Sequence, residues 1–565
     1  MKTVARDRAA LAHTYALDVV AGRILACKWT RLACQRHLDD IARSEDPAWP
    51  YRYDEAKGAR VCRFIELLPH VKGKWAKKDP RTLEGQRIRL EAWQCFKTCM
   101  LFGWVKKKDG LRRFRKASIY EPRKNAKSTW GVGVGHWMLG KDNEPGAEIY
   151  SGATSEKQAW ETFGPARRMC VADTNLRDGL KITVLAAGLV IEAENSKWEP
   201  VIGKPGDGAS PHLALIDEYH EHQTSDLRDT METGMGAREQ PLSLIISTAG
   251  SNLAGPCRED WKTCEKILGR VPGFEDETHF CLIYTIDDGD DWTSEAALRK
   301  ANPNADVSVS MEYLRAQQAT AKRDPRAQNI FKTKHLNIWT AAKSSYYNIQ
   351  EWHACANHDL TIEDFAGKPC YLSADFASKH DMVALMALFP VGDKFAVFGK
   401  YYLPRATVDL PENQHYRAWE AAGHLTVTDG NITDIDALIE EAAAMNAKYQ
   451  VLEMPFDPNR AWGVSTRLQQ RGLKVIEYRN TILTMSEPMK ELGALAKSGR
   501  IEHDGDPILA WAMSNVTGEE DKKQNVYPNR ESPTQKIDPV VSLLFALGRA
   551  RLAPTLPGPG GFSFA

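Results

Sequence analysis

The sequence has no excess of charge of either sign: among 565 residues, Lys and Arg total 74, and so do Asp and Glu. That balance excludes a uniformly basic nucleic-acid coat and leaves room only for a local basic groove. No run approaches the roughly 18 uninterrupted apolar residues of a membrane span. The opening stretch MKTVARDRAALAHTYALDVVAGR lacks the apolar core and cleavage site of a signal peptide. The eleven cysteines are odd in number and include no Cys-x-x-Cys pair. That argues against a disulfide framework or a zinc knuckle and for reduced thiols in a cytoplasm. Internal repeats are absent too, which excludes solenoids and propellers. What is present is an ordinary globular composition, 43% hydrophobic and 26% charged, in a chain long enough for several domains of roughly 150 residues.

Residues 1–65 read as a helical segment rich in Arg and Asp. From 66 to 345, apolar runs alternate with helical patterns: Ala147–Ser151, Leu189–Glu192, Leu213–Ile216, Leu244–Thr248 and Cys281–Ile286. Such alternation predicts an α/β domain with a mainly parallel sheet. The polar, interrupted stretch 341–366 marks a boundary. Beyond it Tyr371–Asp375, Met382–Phe389 and Phe395–Leu403 are too close together for helical crossovers and predict an antiparallel meander. Two more strands, Val451–Phe456 and Lys474–Tyr478, precede a closing helix at Pro539–Arg551. The second domain is therefore 346–552, with a mixed sheet, and the Gly/Pro-rich tail 553–565 is expected to be disordered.

One constellation is a phosphate loop without its glycines. In Ile119-Tyr120-Glu121-Pro122-Arg123-Lys124-Asn125-Ala126-Lys127-Ser128-Thr129-Trp130 a short strand runs into a helix start. Lys127 suits the β- and γ-phosphates and Ser128 suits Mg²⁺, while Glu121 and Ala126 stand where glycines are usual. The strand His212–Ile216 then ends in Asp217-Glu218, 90 positions after Lys127 (217 − 127). In phosphate-loop ATPases the first acid assists Mg²⁺ and the second orients the attacking water. Leu244–Gly250 ends a further strand in Ser247 and Thr248, a γ-phosphate sensor or a plain buried strand end. Gln94, on an apolar helix, either reads adenine or faces solvent. His220 and His222 are spaced by two, which puts them on different helix faces and excludes a helical zinc pair.

A second constellation is three separated aspartates: Asp375 at the end of the first meander strand, Asp457 at the end of a later strand, and Asp538 before the last helix. Each alone is an ordinary cap or turn residue. Together, in the order strand, meander, strand and helix, they form the oxygen-rich set of a ribonuclease-H-like nuclease that holds Mg²⁺ or Mn²⁺. Asp381 and Glu453 are reserve ligands.

A degenerate phosphate-loop ATPase fused to a ribonuclease-H-like nuclease resembles the large terminase subunit of tailed bacteriophages. The resemblance rests on Pro122–Ser128, Leu215–Glu218, Ile246–Gly250, Lys334-His335-Leu336-Asn337-Ile338-Trp339 and Lys536-Ile537-Asp538. It implies an ATP-driven motor (66–345) that packages double-stranded DNA into a procapsid through the portal, and a nuclease (346–552) that cuts concatemeric DNA. It implies that Gln94, Arg123, Asn125, Ala126, Lys127, Ser128, Asp217 and Thr248 serve ATP and its Mg²⁺, with Glu218 and Arg123 catalytic. It implies that Asp375, Asp457 and Asp538 hold two Mg²⁺ or Mn²⁺ ions. The expected partners are the portal, a small terminase subunit and further copies in a ring, in the host cytoplasm and away from membranes. Lys204 and Arg238 are candidates for a finger acting on a neighbouring subunit. Lys106–Lys108 and Arg112-Arg113 are candidate DNA contacts or solvated charge. The competing reading is a helicase-like translocase-nuclease of repair or restriction, which needs a second motor domain, and no second phosphate loop is visible.

Overall fold

The computed structural model describes residues 7–77, 86–202, 208–253, 255–340, 345–375, 382–410, 413–458, 462–531 and 535–552. Lys204, Asp381 and the tail from 553 onwards lie outside them. The chain forms two compact units, residues 1–322 with 330–340, and residues 323–329 with 341–565.

In the first unit, α1 (Arg8–Val20) and α3 (Glu55–Glu66) pack on α4 (Ala92–Gly103), and α2 (Lys28–Arg43) packs on α1. Ala12, Tyr15, Ala16 and Val19 recur at helical spacing and form the buried stripe of α1. A short strand, β1 (Tyr51–Tyr53), interrupts this helical region and pairs antiparallel with β2 (Trp104–Lys106). Aromatic packing holds it there, with the rings of Trp49 and Tyr53 centred 5.6 and 5.3 Å from that of Trp104.

Arg113 lies beside that cluster, fully buried, donates to Asp40 at 2.7 Å and faces the Trp49, Tyr51 and Trp104 rings. Arg112 is likewise buried against Asp142 at 3.0 Å. Both arginines are therefore core ion-pair residues and not DNA contacts.

The main sheet has the order β10-β3-β9-β8-β4-β7-β6-β5. β3 (Lys116–Tyr120), β4 (Glu148–Ala153), β7 (Ser196–Ile202), β8 (Leu213–Asp217), β9 (Leu242–Ser247) and β10 (His279–Ile283) are parallel. β5 (Thr183–Val184) and β6 (Leu189–Ile191) run antiparallel at the edge. The run at 189–192 thus belongs to a hairpin, and β7, broken in sequence by charges and Pro200, takes the parallel position beside β4. Across the sheet lie α5 (Lys127–Gly140), α6 (Glu156–Ala172) and α7 (Pro256–Leu268). α5 is buried almost throughout, and its glycines let it approach closely: a Cβ on Gly135 would lie 2.3 Å from the Trp198 ring.

The second unit is a seven-stranded mixed sheet. β11 (Pro369–Asp375), β12 (Val383–Val391) and β13 (Lys394–Pro404) form the antiparallel meander. β14 (Leu425–Thr428) and β17 (Ile501–His503) pair parallel with β13, and β15 (Gln450–Phe456) and β16 (Val475–Glu477) extend the β11 side in parallel. One apolar layer contains α8 (Ile435–Lys448), and the opposite one contains α9 (Ile482–Lys497), α10 (Pro507–Asn515) and α11 (Asp538–Ala550).

Candidate functional site

The first site forms where β3, β9 and β8 end side by side, the usual ligand position at the carboxyl edge of a parallel sheet. The loop after β3 turns into α5 through two left-handed residues, Lys124 and Ala126, at φ 71° and 69°. The usual glycine position therefore does require a positive φ, and Ala126 adopts it at a cost of about 1 kcal/mol. Asn125 is buried and braces the loop: its amide donates to the Pro122 carbonyl and Asn302 Oδ1, and its oxygen accepts from the Asn304 amide. Its side chain thus acts through the loop's shape.

Lys127 Nζ lies 2.8 Å from Glu218 Oε1. Asp217 accepts from Ser128 Oγ at 2.7 Å and from Thr162 Oγ1, on α6, at 2.9 Å. Glu218 itself is left-handed, φ 51°, which turns its carboxylate from the end of β8 towards Lys127. Burial pushes Glu218 up, but the Lys127 ammonium, helped by His220 and Arg123, outweighs it and holds the group at about 2. Burial raises Asp217, with Lys127 opposing. The two neighbours are thus electrostatically distinct, an ionised Glu218 beside a more proton-avid Asp217.

His220, weighed in the sequence only as a metal ligand, joins this site with Ser247 and Thr248 and with Lys334 and Asn337 of the 334–339 segment. His220 Nε2 faces Lys334 Nζ at 2.8 Å, and its Nδ1 faces Ser247 Oγ at 3.1 Å, Glu218 Oε2 at 3.3 Å and Thr248 Oγ1 at 3.4 Å. Burial lowers the pKa of His220. Nε2 also lies 3.2 Å from Glu221 Oε1, so it stands between a donor and an acceptor, while Nδ1 faces that set of oxygens. Thr248 is buried, so its hydroxyl reaches the site through His220. Asn337 ties the β9 end to β10: it accepts from the Ala249 amide at 2.6 Å and donates to the Tyr284 carbonyl at 2.7 Å.

Glu121, at the first missing glycine, makes a fully buried 2.7 Å ion pair with Lys97, whose ammonium lies 4.4 and 4.3 Å from the Trp93 and Trp130 ring centres. Helical periodicity alone makes Lys97 look like an error on an apolar face.

Gln94 is buried and forms a reciprocal cap with Glu91 at the start of α4. It also lines a cavity of about 190 Å³ with Ala126, Thr129 and Trp130, next to the stacked rings of His70 and Trp75. Arg123 is exposed, while its backbone donates to the Lys334 carbonyl at 2.8 Å. Arg238 is held by the Ser210 carbonyl, Glu144 and Glu148. These contacts tie it within its own unit and leave it poorly placed to act as a finger.

The second site lies at one end of the mixed sheet. Asp375, Asp457 and Asp538 are only 4%, 8% and 5% exposed. β11 and β15 are parallel with Tyr371 opposite Glu453. The pairing ends there, and Asp375 and Asp457, each four residues further along, lie towards the same end of the sheet. The direction of α11 follows from two contacts. Ser373 and Ser542 exchange hydrogen bonds at 2.6 and 2.8 Å, and Arg549, farther along the helix, reaches Glu453 at 2.8 Å. Moving towards the helix C-terminus thus means moving back along the strands, so α11 runs antiparallel to β11. Asp538, one turn before Ser542, and Asp375, two residues beyond Ser373, therefore share an end. Glu453 sits at the other end, paired with Lys474 and Arg549, and does not join the three aspartates. The three buried carboxylates thus share an end of the sheet, although their oxygens do not all come within 4.8 Å of one another; oxygen donors of this type suit hard divalent cations.

Residues 92–266 match the family model described as the terminase large subunit ATPase domain, and residues 273–553 match that of the terminase large subunit endonuclease domain. Protein YmfN of Escherichia coli K12 is 44% identical over 364 residues, spanning 62% of this chain and 79% of that protein. The terminase large subunit of Enterobacteria phage HK97 is 24% identical over 509 residues, 87% of this chain and 95% of the phage protein. Among solved structures, the crystal structure of the HK97 large terminase aligns over 87% of this chain and 99% of its own, with a TM-score of 0.42 at 23% identity.

Proposed function

The chain belongs to the terminase large subunit family, and on that premise we propose how its residues divide the two chemistries. It is an ATPase and an endonuclease of DNA packaging, enzymes that use a nucleotide and divalent metal ions. The observation that carries the assignment is the pairing of Lys127 with Glu218 and of Ser128 with Asp217 at the mouth of α5.

In this reading Lys127 and the α5 N-terminus bind the β- and γ-phosphates of ATP, Ser128 and Asp217 hold Mg²⁺, and Gln94 meets the adenine. Glu218, kept ionised, orients the attacking water and accepts its proton, while the exposed Arg123 faces the transferred phosphoryl group. His220 passes the position of Glu218 to Ser247 and Thr248 at the end of β9. Mg²⁺ would supply neutralisation of the phosphate charge.

Asp375, Asp457 and Asp538 hold the nuclease metal, two Mg²⁺ or Mn²⁺ ions, which would activate water and stabilise the leaving oxygen. DNA is gripped through its phosphates without base reading, so binding falls steeply with salt. The family supports the remaining partners: a portal, a small subunit and a ring of copies, in the host cytoplasm. No described helix is long and apolar enough to cross a membrane.

The test uses the full chain, assayed for ATP hydrolysis and for plasmid cleavage with Mg²⁺ or Mn²⁺. Glu218→Gln should abolish the first and spare the second, and Asp375→Asn should do the reverse. Loss of both activities in either folded variant would overturn the division.

A further inference from the structure

Away from both sites, three ligand-bearing side chains meet in the interior of the first unit. His279 and Cys281 are two apart on β10 and so share one face of the strand. α7 packs over β10 and brings Cys264 to them. One donor atom from each lies within 4.8 Å of the other two. All three are buried, at 5%, 1% and 0% exposure for His279, Cys281 and Cys264. Among the described residues this is the one such group of His, Cys, Asp and Glu donors.

Two further oxygens border the cluster. Ser118, the β3 partner of Cys281 in the sheet register, has its Oγ 2.9 Å from His279 Nε2. Asp260, one turn before Cys264 on α7, has Oδ2 3.9 Å from Cys264 Sγ and accepts from Tyr120 at 2.6 Å.

A buried thiol by itself is a small hydrophobe. A buried imidazole beside two thiols is different, because an aliphatic residue would fill the space without desolvating two ring nitrogens. We propose that Cys264, His279 and Cys281 bind a structural zinc ion, with Asp260 or Ser118 completing a tetrahedron. Thiolate and imidazole donors select borderline-soft cations over Mg²⁺. Zinc bonds of about 2.0–2.3 Å place tetrahedral donors roughly 3.5 Å apart, which lies inside the observed limit. The ion would clip α7 to β10 and β3, the strand that leads into the phosphate loop. Neither cysteine spacing nor a helical His pair shows this set, because its members come from one helix and one strand 15 residues apart (279 − 264).

The test is zinc content and cobalt spectroscopy of the full chain, purified without chelators. About one zinc per folded chain is expected, along with thiolate-to-metal charge transfer and tetrahedral bands after cobalt exchange. Cys281→Ser should lose both signals, and Cys170→Ser, a buried thiol outside the cluster, should keep them. Thiolate charge transfer separates this site from the carboxylate sites, which give none. If Cys281→Ser does not fold, the wild-type cobalt spectrum decides alone. Folded wild type without thiolate charge transfer, unchanged signals in Cys281→Ser, or a Cys264–Cys281 disulfide in the purified chain would overturn the proposal.

Discussion

Lys127 Nζ and Glu218 Oε1 are 2.8 Å apart, so the lysine assigned to the phosphates and the carboxylate assigned to the water hold each other. A γ-phosphate that engages the ammonium competes with Glu218 for it. In the proposed mechanism nucleotide binding and release of Glu218 are thereby linked through a single ion pair, and the left-handed backbone of Glu218 is what makes that pair reachable.

Glu218→Gln keeps the side chain's shape and removes the base. ATP binding should persist while hydrolysis falls at least ~100-fold. Equilibrium binding of a fluorescent ATP analogue and steady-state turnover check this. Turnover within a few-fold of wild type would remove Glu218 from its role.

His220→Ala should leave KM for ATP within about two-fold and reduce kcat roughly ten- to a hundred-fold, because Glu218 loses its lateral support. His220→Asn, which can donate towards Ser247 and accept from Lys334, should recover part of the loss. Equal effects of the two substitutions would speak for simple packing.

Lys97→Met strands Glu121 as an unpaired buried carboxylate and should cost about 3–5 kcal/mol. Lys97→Met with Glu121→Leu should recover most of that stability. Denaturant unfolding of single and double variants measures the coupling, and additive losses would show that the pair is not a unit.

Mg²⁺ or Mn²⁺ should raise the melting temperature of the wild-type chain through linkage to the aspartate site. In Asp538→Asn that increment should shrink and plasmid cleavage should disappear, while ATP hydrolysis continues. An undiminished metal-induced shift would place the metal elsewhere.

Asp506 caps α10 by accepting from the Ile508 and Leu509 amides, and burial raises its carboxyl to about 6. Its charge is therefore disfavoured in the fold, a cost present in full above pH 6 and gone below about pH 4, the ordinary carboxyl range. Asp506→Asn retains the acceptor without the charge. It should be more stable than wild type at pH 8, with the difference fading towards pH 4. A pH-independent difference in melting temperature would exclude ionisation as the cause.

Much of both sites was legible in the residue order because local rules wrote them. Lys127-Ser128 opens a helix, Asp217-Glu218 closes an apolar strand, and Asp375 and Asp457 end buried runs, patterns that need no knowledge of neighbours. The same rules failed where packing outvoted charge. Arg112 and Arg113 read as surface cations, yet aromatic rings and acids from distant segments make them core residues. β1 was hidden in a helical stretch because its strand exists only through Trp104, and β7 because Pro200 and its charges disguise a buried partner of β4.

Residue order alone set most of the elements, the two domain types and the residues able to do chemistry, since periodicity and strand-end carboxylates are local. Which of those residues meet follows from how the elements pack. The antiparallel run of α11 along β11 sets Asp538 and Asp375 at the same end of the sheet. The left-handed turn of Glu218 hands it to Lys127 and His220, and the packing of α7 on β10 sets Cys264 beside His279 and Cys281. Each of these depends on contacts between segments far apart in the chain, where burial and directional hydrogen bonds choose one arrangement among many that the local pattern allows.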